Sequence, residues 1–221
     1  MMTTVIVEGN IASGKSTFLN YFKRKFANRV SLCFEPLHKW RDVNGYNLFD
    51  LLYKDSQRWN FAFQMFSDLT RLQIHESRTN ERVKIMERSL FSAKHCFVEN
   101  SYQKKLVSEV EYLILNEWFN FYTKQRNLKV DFIVYLKTTP EVCLQRIKLR
   151  NRSEEEDYLK SLHDLHEKWL SNESDKTLIV IDANRTQDQL QSSYEKCAEI
   201  IFNKRDCPKT LFLDKEPVMK V

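Results

Sequence analysis

Eight consecutive residues, Gly9-Asn10-Ile11-Ala12-Ser13-Gly14-Lys15-Ser16, set two glycines about a four-residue spacer and follow them with a lysine and a hydroxyl. These residue types bind phosphate. The glycines let the backbone approach an anion and aim successive N–H groups at it. Lys15 can neutralise terminal phosphate charge, and Ser16 offers a hydroxyl to Mg²⁺. Thr17 continues into apolar residues at helical spacing, so a helix N-terminus adds its partial positive charge. The chemistry implied is a nucleoside-triphosphate site, with ATP or another triphosphate as donor and Mg²⁺ as companion. A chance match in a glycine-rich loop is the bland alternative, but the chain has only three glycines and two of them sit here.

Three other segments offer groups that could work on a bound phosphate. Glu35-Pro36 and Glu87-Arg88-Ser89 each follow a short apolar run, and Arg146, Arg150 and Arg152 precede the acidic Glu154-Glu155-Glu156. The elements that must position them read as alternating strands and helices. Thr4–Val7, Val30–Phe34, Val83–Met86, Phe132–Leu136 and Leu178–Ile181 are apolar runs, each followed by a charged residue: Glu8, Glu35, Glu87, Lys137 and Asp182. Helical patterns separate them, about Gln57–Asn80, Leu106–Lys124, from Thr139-Pro140, Tyr158–Leu170 and Gln187–Asn203. The pattern predicts an α/β fold with a five-stranded parallel sheet flanked by helices. Ligands in such folds bind beyond the carboxyl ends of the strands, so Glu35 and Glu87 point toward the site the loop builds. Residues 1–205 read as a single domain, and the tail 206–221, with Pro208 and Pro217, as poorly ordered.

Composition narrows the function classes. A net charge of +5 spread without a basic block favours small anionic ligands over a nucleic-acid polymer. Five cysteines, Cys33, Cys96, Cys143, Cys197 and Cys207, show no CxxC spacing and predict reduced thiols in an intracellular, cytoplasmic protein. No apolar run approaches membrane-spanning length, and the first strand begins almost at Met1, leaving no room for a transit peptide. A regulatory GTPase needs D-x-x-G and N-K-x-D, and neither occurs: Gly45 has no aspartate three positions before it. A motor-type ATPase would place paired acids after a buried strand, where this chain has Glu87-Arg88. A small-molecule phosphotransferase remains.

The loop, Glu35-Pro36, Glu87-Arg88-Ser89, Arg146-x-x-x-Arg150-x-Arg152 and Glu154-Glu155, with the strings Trp40-Arg41-x-Val43-Asn44-Gly45, Phe63-Gln64 and Phe97-Val98-Glu99-Asn100, resemble the deoxyribonucleoside kinase family. The likeness runs from Val5 to about Leu170. It implies a P-loop kinase fold with an arginine-bearing lid and ATP-dependent 5′-phosphorylation of deoxyribonucleosides. A nucleoside monophosphate kinase of the thymidylate kinase type is the alternative, but those enzymes carry glycines after Glu-Pro, where this chain has Leu37-His38-Lys39-Trp40. In chemical terms Glu35 is the candidate base for the 5′-hydroxyl, Arg88 its neighbour and orienter, and Glu87 a direct or water-mediated Mg²⁺ holder with Ser16. Lys15, Arg150 and Arg152 would stabilise charge on the transferring phosphoryl, and Arg146 would join the loop in holding the donor.

The resemblance also assigns the deoxynucleoside pocket. Gln64 matches the glutamine that pairs with the base, Phe97 the ring stacked on it, and Trp40, Leu52 and Phe63 its apolar walls. Tyr53 and Glu155 match the pair that binds the 3′-hydroxyl. Ser67, Arg71 and Ala93 match three selectivity positions in a hybrid pattern. Deoxycytidine and deoxyguanosine kinases combine a small residue, arginine and aspartate there; thymidine-accepting enzymes have larger apolar residues and alanine. Without that aspartate, Arg71 is expected to swing toward solvent or find Asp68, leaving a pocket open to pyrimidines and purines. The resemblance further implies a homodimer through the helices at Gln57–Asn80 and Leu106–Lys124. His163 and His166, three apart on an amphipathic helix with no third ligand, read as structural.

Overall fold

The structure, a computed structural model, describes residues 2–126, 128–150, 155–203 and 208–213. Among them, the strands β1 (Thr3–Glu8), β2 (Val30–Cys33), β3 (Val83–Glu87), β4 (Phe132–Lys137), β5 (Thr177–Asp182) and β6 (Thr210–Phe212) form one parallel sheet in the order β2-β3-β1-β4-β5-β6. The sheet therefore has six strands where the sequence predicts five. β6 lies in the stretch where poor order was expected. Thr210 and Phe212 pair with Leu178 and Val180, while Leu211 packs against the core. A three-residue strand carries too little periodicity to be read without its partner.

Alternate residues of the strands feed cores on both faces, as a buried parallel sheet requires. Val5, Val7, Val134, Ile179 and Ile181 pack with Phe18 and Phe22 of α1 (Lys15–Phe26) and Tyr194 and Ile201 of α10 (Gln187–Asn203). Ile6, Ile133, Tyr135 and Val180 pack with Leu162, Leu165 and Trp169 of α9 (Glu156–Ser171). Between β2 and β3 lie α2 (Leu37–Arg41), α3 (Leu48–Lys54) and the long α4 (Ser56–Glu76). After β3 come α5 (Leu90–Ser92), a π-helical segment (Ala93–Val98), α6 (Glu99–Gln103) and α7 (Glu109–Gln125). α8 (Pro140–Lys148) begins as the sequence predicts, with proline in its first turn and the Thr139 hydroxyl accepting from the Val142 N–H at 3.4 Å.

One charge inside a strand holds α4 in place. Lys84 of β3 is almost fully buried. Its ammonium donates to the carbonyls of Ile74, His75 and Ser77 and to the Ser77 hydroxyl, where the last turn of α4 has no helical partners. The strand thus fixes the far end of the helix that carries Gln64, Ser67 and Arg71.

Candidate active site

The phosphate loop follows β1 directly. Gly9 has φ +143°, and a Cβ there would stand 2.7 Å from the Leu136 carbonyl oxygen and from Ser13 Oγ, so only glycine fits. Ala12 (φ 60°) and Gly14 (φ 104°) take left-handed conformations that turn the backbone around the loop before α1 begins at Lys15. The lysine is buried and folds back over the loop, donating to Asn10 O at 2.7 Å and Gly9 O at 3.2 Å. Burial, then the positive charge of Arg88, lowers its pKa to about 8. Asn10 accepts from the Ile11 N–H and donates its amide to Leu159 O at 2.8 Å, which ties the loop to α9. Ile11 and Ala12 pack against Cys143, Ile147 and Leu159, so their side chains serve the α8–α9 contact. Ser16, exposed beside half-buried Thr17, donates to Glu87 Oε1 at 2.7 Å. A hydroxyl and a carboxylate oxygen held together are the hard donors Mg²⁺ takes, so this pair fits the ion.

Glu35, just beyond β2, meets two guanidinium groups. Arg71 Nη2 lies 2.6 Å and Arg88 Nε 3.7 Å from Glu35 Oε1. Burial alone would raise its carboxyl, but Arg71, Arg88 and Lys15 outweigh that and hold it below the ordinary carboxylate value. Arg71 therefore does not swing to solvent or settle on Asp68. It is 6% exposed, stacked 4.8 Å over the Trp40 ring and bound to Glu35. The expectation failed because it weighed partners on α4 and the π segment and ignored the carboxylate arriving from β2. Asp68 stays buried with Oδ1 unpartnered among the described residues, and burial raises it to about 7 against the pull of Arg71.

Arg88 is buried and stacked 4.7 Å over Phe97. Its φ of 63° is a costly backbone choice for a non-glycine residue. Glu8 and Ser89 make it tenable. The Ser89 hydroxyl donates to Glu8 Oε1 at 2.6 Å and accepts from the Phe91 and Ser92 N–H groups, capping α5. Glu8 has no exposed surface, and among the described residues Oε2 has no partner. Burial pushes its carboxyl up to about 7, opposed by Arg88, Ser89 and Ser92. Sequence reasoning saw only a charged residue at a strand end; its place immediately before Gly9 on a fully buried strand was the available signal.

Gln64, Ser67 and Arg71 share one buried face of α4. Gln64 Nε2 donates to Asn60 Oδ1 at 3.3 Å and Ser101 Oγ at 3.4 Å, and the Ser67 hydroxyl to Gln64 O. Trp40 meets Phe49 and Phe63 edge-to-face, those two rings lie tilted against each other, and the Trp40 indole N–H donates to Thr70 Oγ1 at 2.9 Å. Ala93 is fully buried on the π segment, which also carries half-buried Phe97. Leu52 is half-buried on α3, while Tyr53 and Glu155 are exposed. Arg146 donates to the carbonyls of Ala183 at 2.8 Å and Arg185 at 3.1 Å, Arg150 is exposed past the end of α8, and Arg152 lies outside the described residues. Among the described residues, a cavity of about 570 Å³ opens beside the C-terminal half of α9, lined by Phe91, His95, Phe119 and Trp169; none of the predicted site residues lines it.

Fold and site together define a P-loop phosphotransferase. The sequence matches the family described as deoxynucleoside kinase over residues 5–204, and the chain belongs to that family. It is similar to human mitochondrial thymidine kinase 2, at 39% identity over 93% of this chain and 81% of that protein. A probable deoxycytidine kinase of fowlpox virus (strain NVSL) is 37% identical over 95% and 89%, and human deoxycytidine kinase 32% over 89% and 90%. The protein is thus an enzyme that phosphorylates deoxynucleosides and not a thymidylate kinase. No helix among the described residues is long and apolar enough to cross a membrane.

Glu8 gives a test of the buried site. Its pKa of about 7, against an ordinary 4.5, means the folded protein keeps a proton that the unfolded chain has released. Stability from this group is present at low pH and falls as pH rises from 4.5 through 7. Denaturant titrations of wild type and Glu8→Gln should therefore diverge, the variant gaining relative stability between pH 5 and 8. Parallel pH profiles would contradict the buried, protonated carboxyl.

Proposed function

We propose that the enzyme transfers the γ-phosphoryl group of ATP, or another nucleoside triphosphate, to the 5′-hydroxyl of deoxyribonucleosides and is broad in the base it accepts. The observation that carries this reading is Glu35, held between Arg71 and Arg88 beside a phosphate loop closed by Lys15. An ionised carboxylate is available at neutral pH to take the hydroxyl proton. Phosphoryl transfer through a loose transition state asks more for orientation than for a strong base, so a lowered pKa does not bar the role. Arg88 would orient Glu35 and the 5′-oxygen; Lys15, Arg150 and Arg152 would neutralise charge on the transferring phosphoryl. Ser16 and Glu87 would hold Mg²⁺, which when bound supplies charge neutralisation at the donor phosphates. Arg146, bonded to the loop after β5, would help shape the donor's base site.

Gln64 would pair with the nucleobase by turning its amide away from Asn60 and Ser101, Phe97 would stack on the base, and Trp40, Leu52 and Phe63 would wall it. Tyr53 and Glu155 would take the 3′-hydroxyl. Breadth is supported by small Ser67 and Ala93 and by Arg71 being drawn to Glu35, and relatives are named for thymidine as well as deoxycytidine. The unpaired cysteines are consistent with an intracellular, cytoplasmic enzyme. Steady-state kinetics with all four deoxynucleosides should show Glu35→Gln lowering kcat by about 10²-fold or more with KM little changed. Wild type should accept thymidine, and Ala93→Asp should lower thymidine use selectively; near-normal kcat in Glu35→Gln would refute the base.

We also infer a homodimer. Val110, Leu113, Ile114, Trp118 and Phe121 expose an apolar stripe along α7, beside exposed Leu69 on α4. Such a patch on one helix pair suits a self-complementary twofold contact. Sedimentation velocity at micromolar concentration should give a dimer, and Leu113→Glu should shift it to monomer; a wild-type monomer would contradict the inference.

A further inference from the structure

Arg71 makes two attachments of unequal strength. Its ring contact is firm, because Trp40 beneath it is buried and pinned through its indole N–H to Thr70. Among the described residues its polar contact is a single hydrogen bond from Nη2 to Glu35 Oε1, and its Nε has no partner. Asp68, one turn away on α4, has an unpartnered oxygen that the guanidinium leaves aside. Arg88 likewise keeps Nη1 unpartnered beside the same carboxylate. The side chains of Arg71 and Glu35 are 7% and 16% exposed, so neither charge can be left alone without a large desolvation cost. An incoming ligand that offers oxygens to these donors can replace one partner by another at little net cost. Arg71 lies on the face of α4 that carries Gln64 and Ser67, where a nucleobase would enter.

We propose that Arg71 is a positioning residue that holds Glu35 in the empty site and hands it over when a deoxynucleoside fills the base pocket, so that one guanidinium couples base recognition to readiness of the carboxylate. This rests on the reading of Glu35 as the base. The charged groups facing Glu35 are Arg71 from α4, Arg88 from the turn after β3 and Lys15 at the start of α1; Glu8 and Glu87 also face Lys15. Arg71 stands first among the charges that keep the carboxylate low, so its loss should be felt more than any other. Hand-over makes Glu35 a better proton acceptor only while substrate is bound. An empty site then carries a quiet, paired carboxylate, and water gains no activated base against the donor phosphate.

The test is a ¹³C NMR titration of enzyme labelled at glutamate carboxyls, the Glu35 signal being assigned by its loss in Glu35→Gln. In the free enzyme, Arg71→Met should raise the Glu35 pKa by about one unit or more, and Arg71→Lys, which keeps the charge, should stay near wild type. Deoxycytidine should raise Glu35 in wild type and move it less in Arg71→Met. Identical titration of wild type and Arg71→Met overturns the proposal, as does an equal shift in the Lys and Met variants. Should Arg71→Met fail to fold by thermal melting, Arg71→Gln is the second neutral variant. The titration reads Glu35 whether or not it is the base. Full turnover in Glu35→Gln would therefore sink the catalytic reading alone, and an unmoved titration would sink the role of Arg71 alone.

Discussion

Charge burial at the carboxyl ends of three neighbouring strands governs the rest of this molecule. β2, β3 and β1 lie side by side; β3 and β1 end in Glu87 and Glu8, Glu35 stands two residues beyond β2, and among those carboxyl groups sit Lys15, Arg71 and Arg88, all nearly inaccessible. None of these charges could be buried by itself. Glu35 is held by Arg71 and Arg88, Glu8 by Ser89 and Glu87 by Ser16, all delivered by other elements, and Lys15 by the carbonyls of its own loop. The strained turn at Arg88 and the left-handed residues of the loop persist because this network over-determines them. A field arranged in advance around the place where phosphoryl charge will develop is what such an enzyme needs, since it costs no reorganisation during the reaction.

The proposed base pocket adjoins the same network. Arg71 shares the α4 face of Gln64, proposed to meet the base, and is bonded to Glu35, proposed as the catalytic carboxylate, with Trp40 as its platform. Substitutions at Ala93 or Ser67 therefore change more than the volume offered to a base. On the proposed reading they would also alter where the Arg71 guanidinium rests, and with it the carboxylate proposed as the base.

Much of this was legible in the sequence, because local patterns carry it. The phosphate loop, the apolar runs ending in Glu35 and Glu87, the helix start at Thr139-Pro140 and the extent of α10 depend on near neighbours along the chain. What escaped depends on partners distant in sequence. Lys84 interrupts an apolar strand and becomes intelligible only when the end of α4 lies over it. β6 needs β5, Arg88 gives no sign of its left-handed backbone, and the π segment under Ala93 and Phe97 has no pattern of its own. Arg71 was misplaced because its attraction to Glu35, 36 residues away, competes with a local acid on its own helix. Glu8 was passed over because its neighbour Ser89 is 81 residues distant.

Transfer of a phosphoryl group onto the 5′-hydroxyl of a deoxynucleoside is the activity proposed for this constellation. Incubation with ATP labelled at the γ-phosphorus, offered in turn thymidine, deoxycytidine, deoxyadenosine, deoxyguanosine and their 5′-monophosphates, measures it directly. The account predicts label in 5′-monophosphates made from deoxynucleosides of both base classes and none transferred to monophosphate acceptors. Label appearing only in diphosphates, or ATP turnover that no deoxynucleoside stimulates, would contradict it.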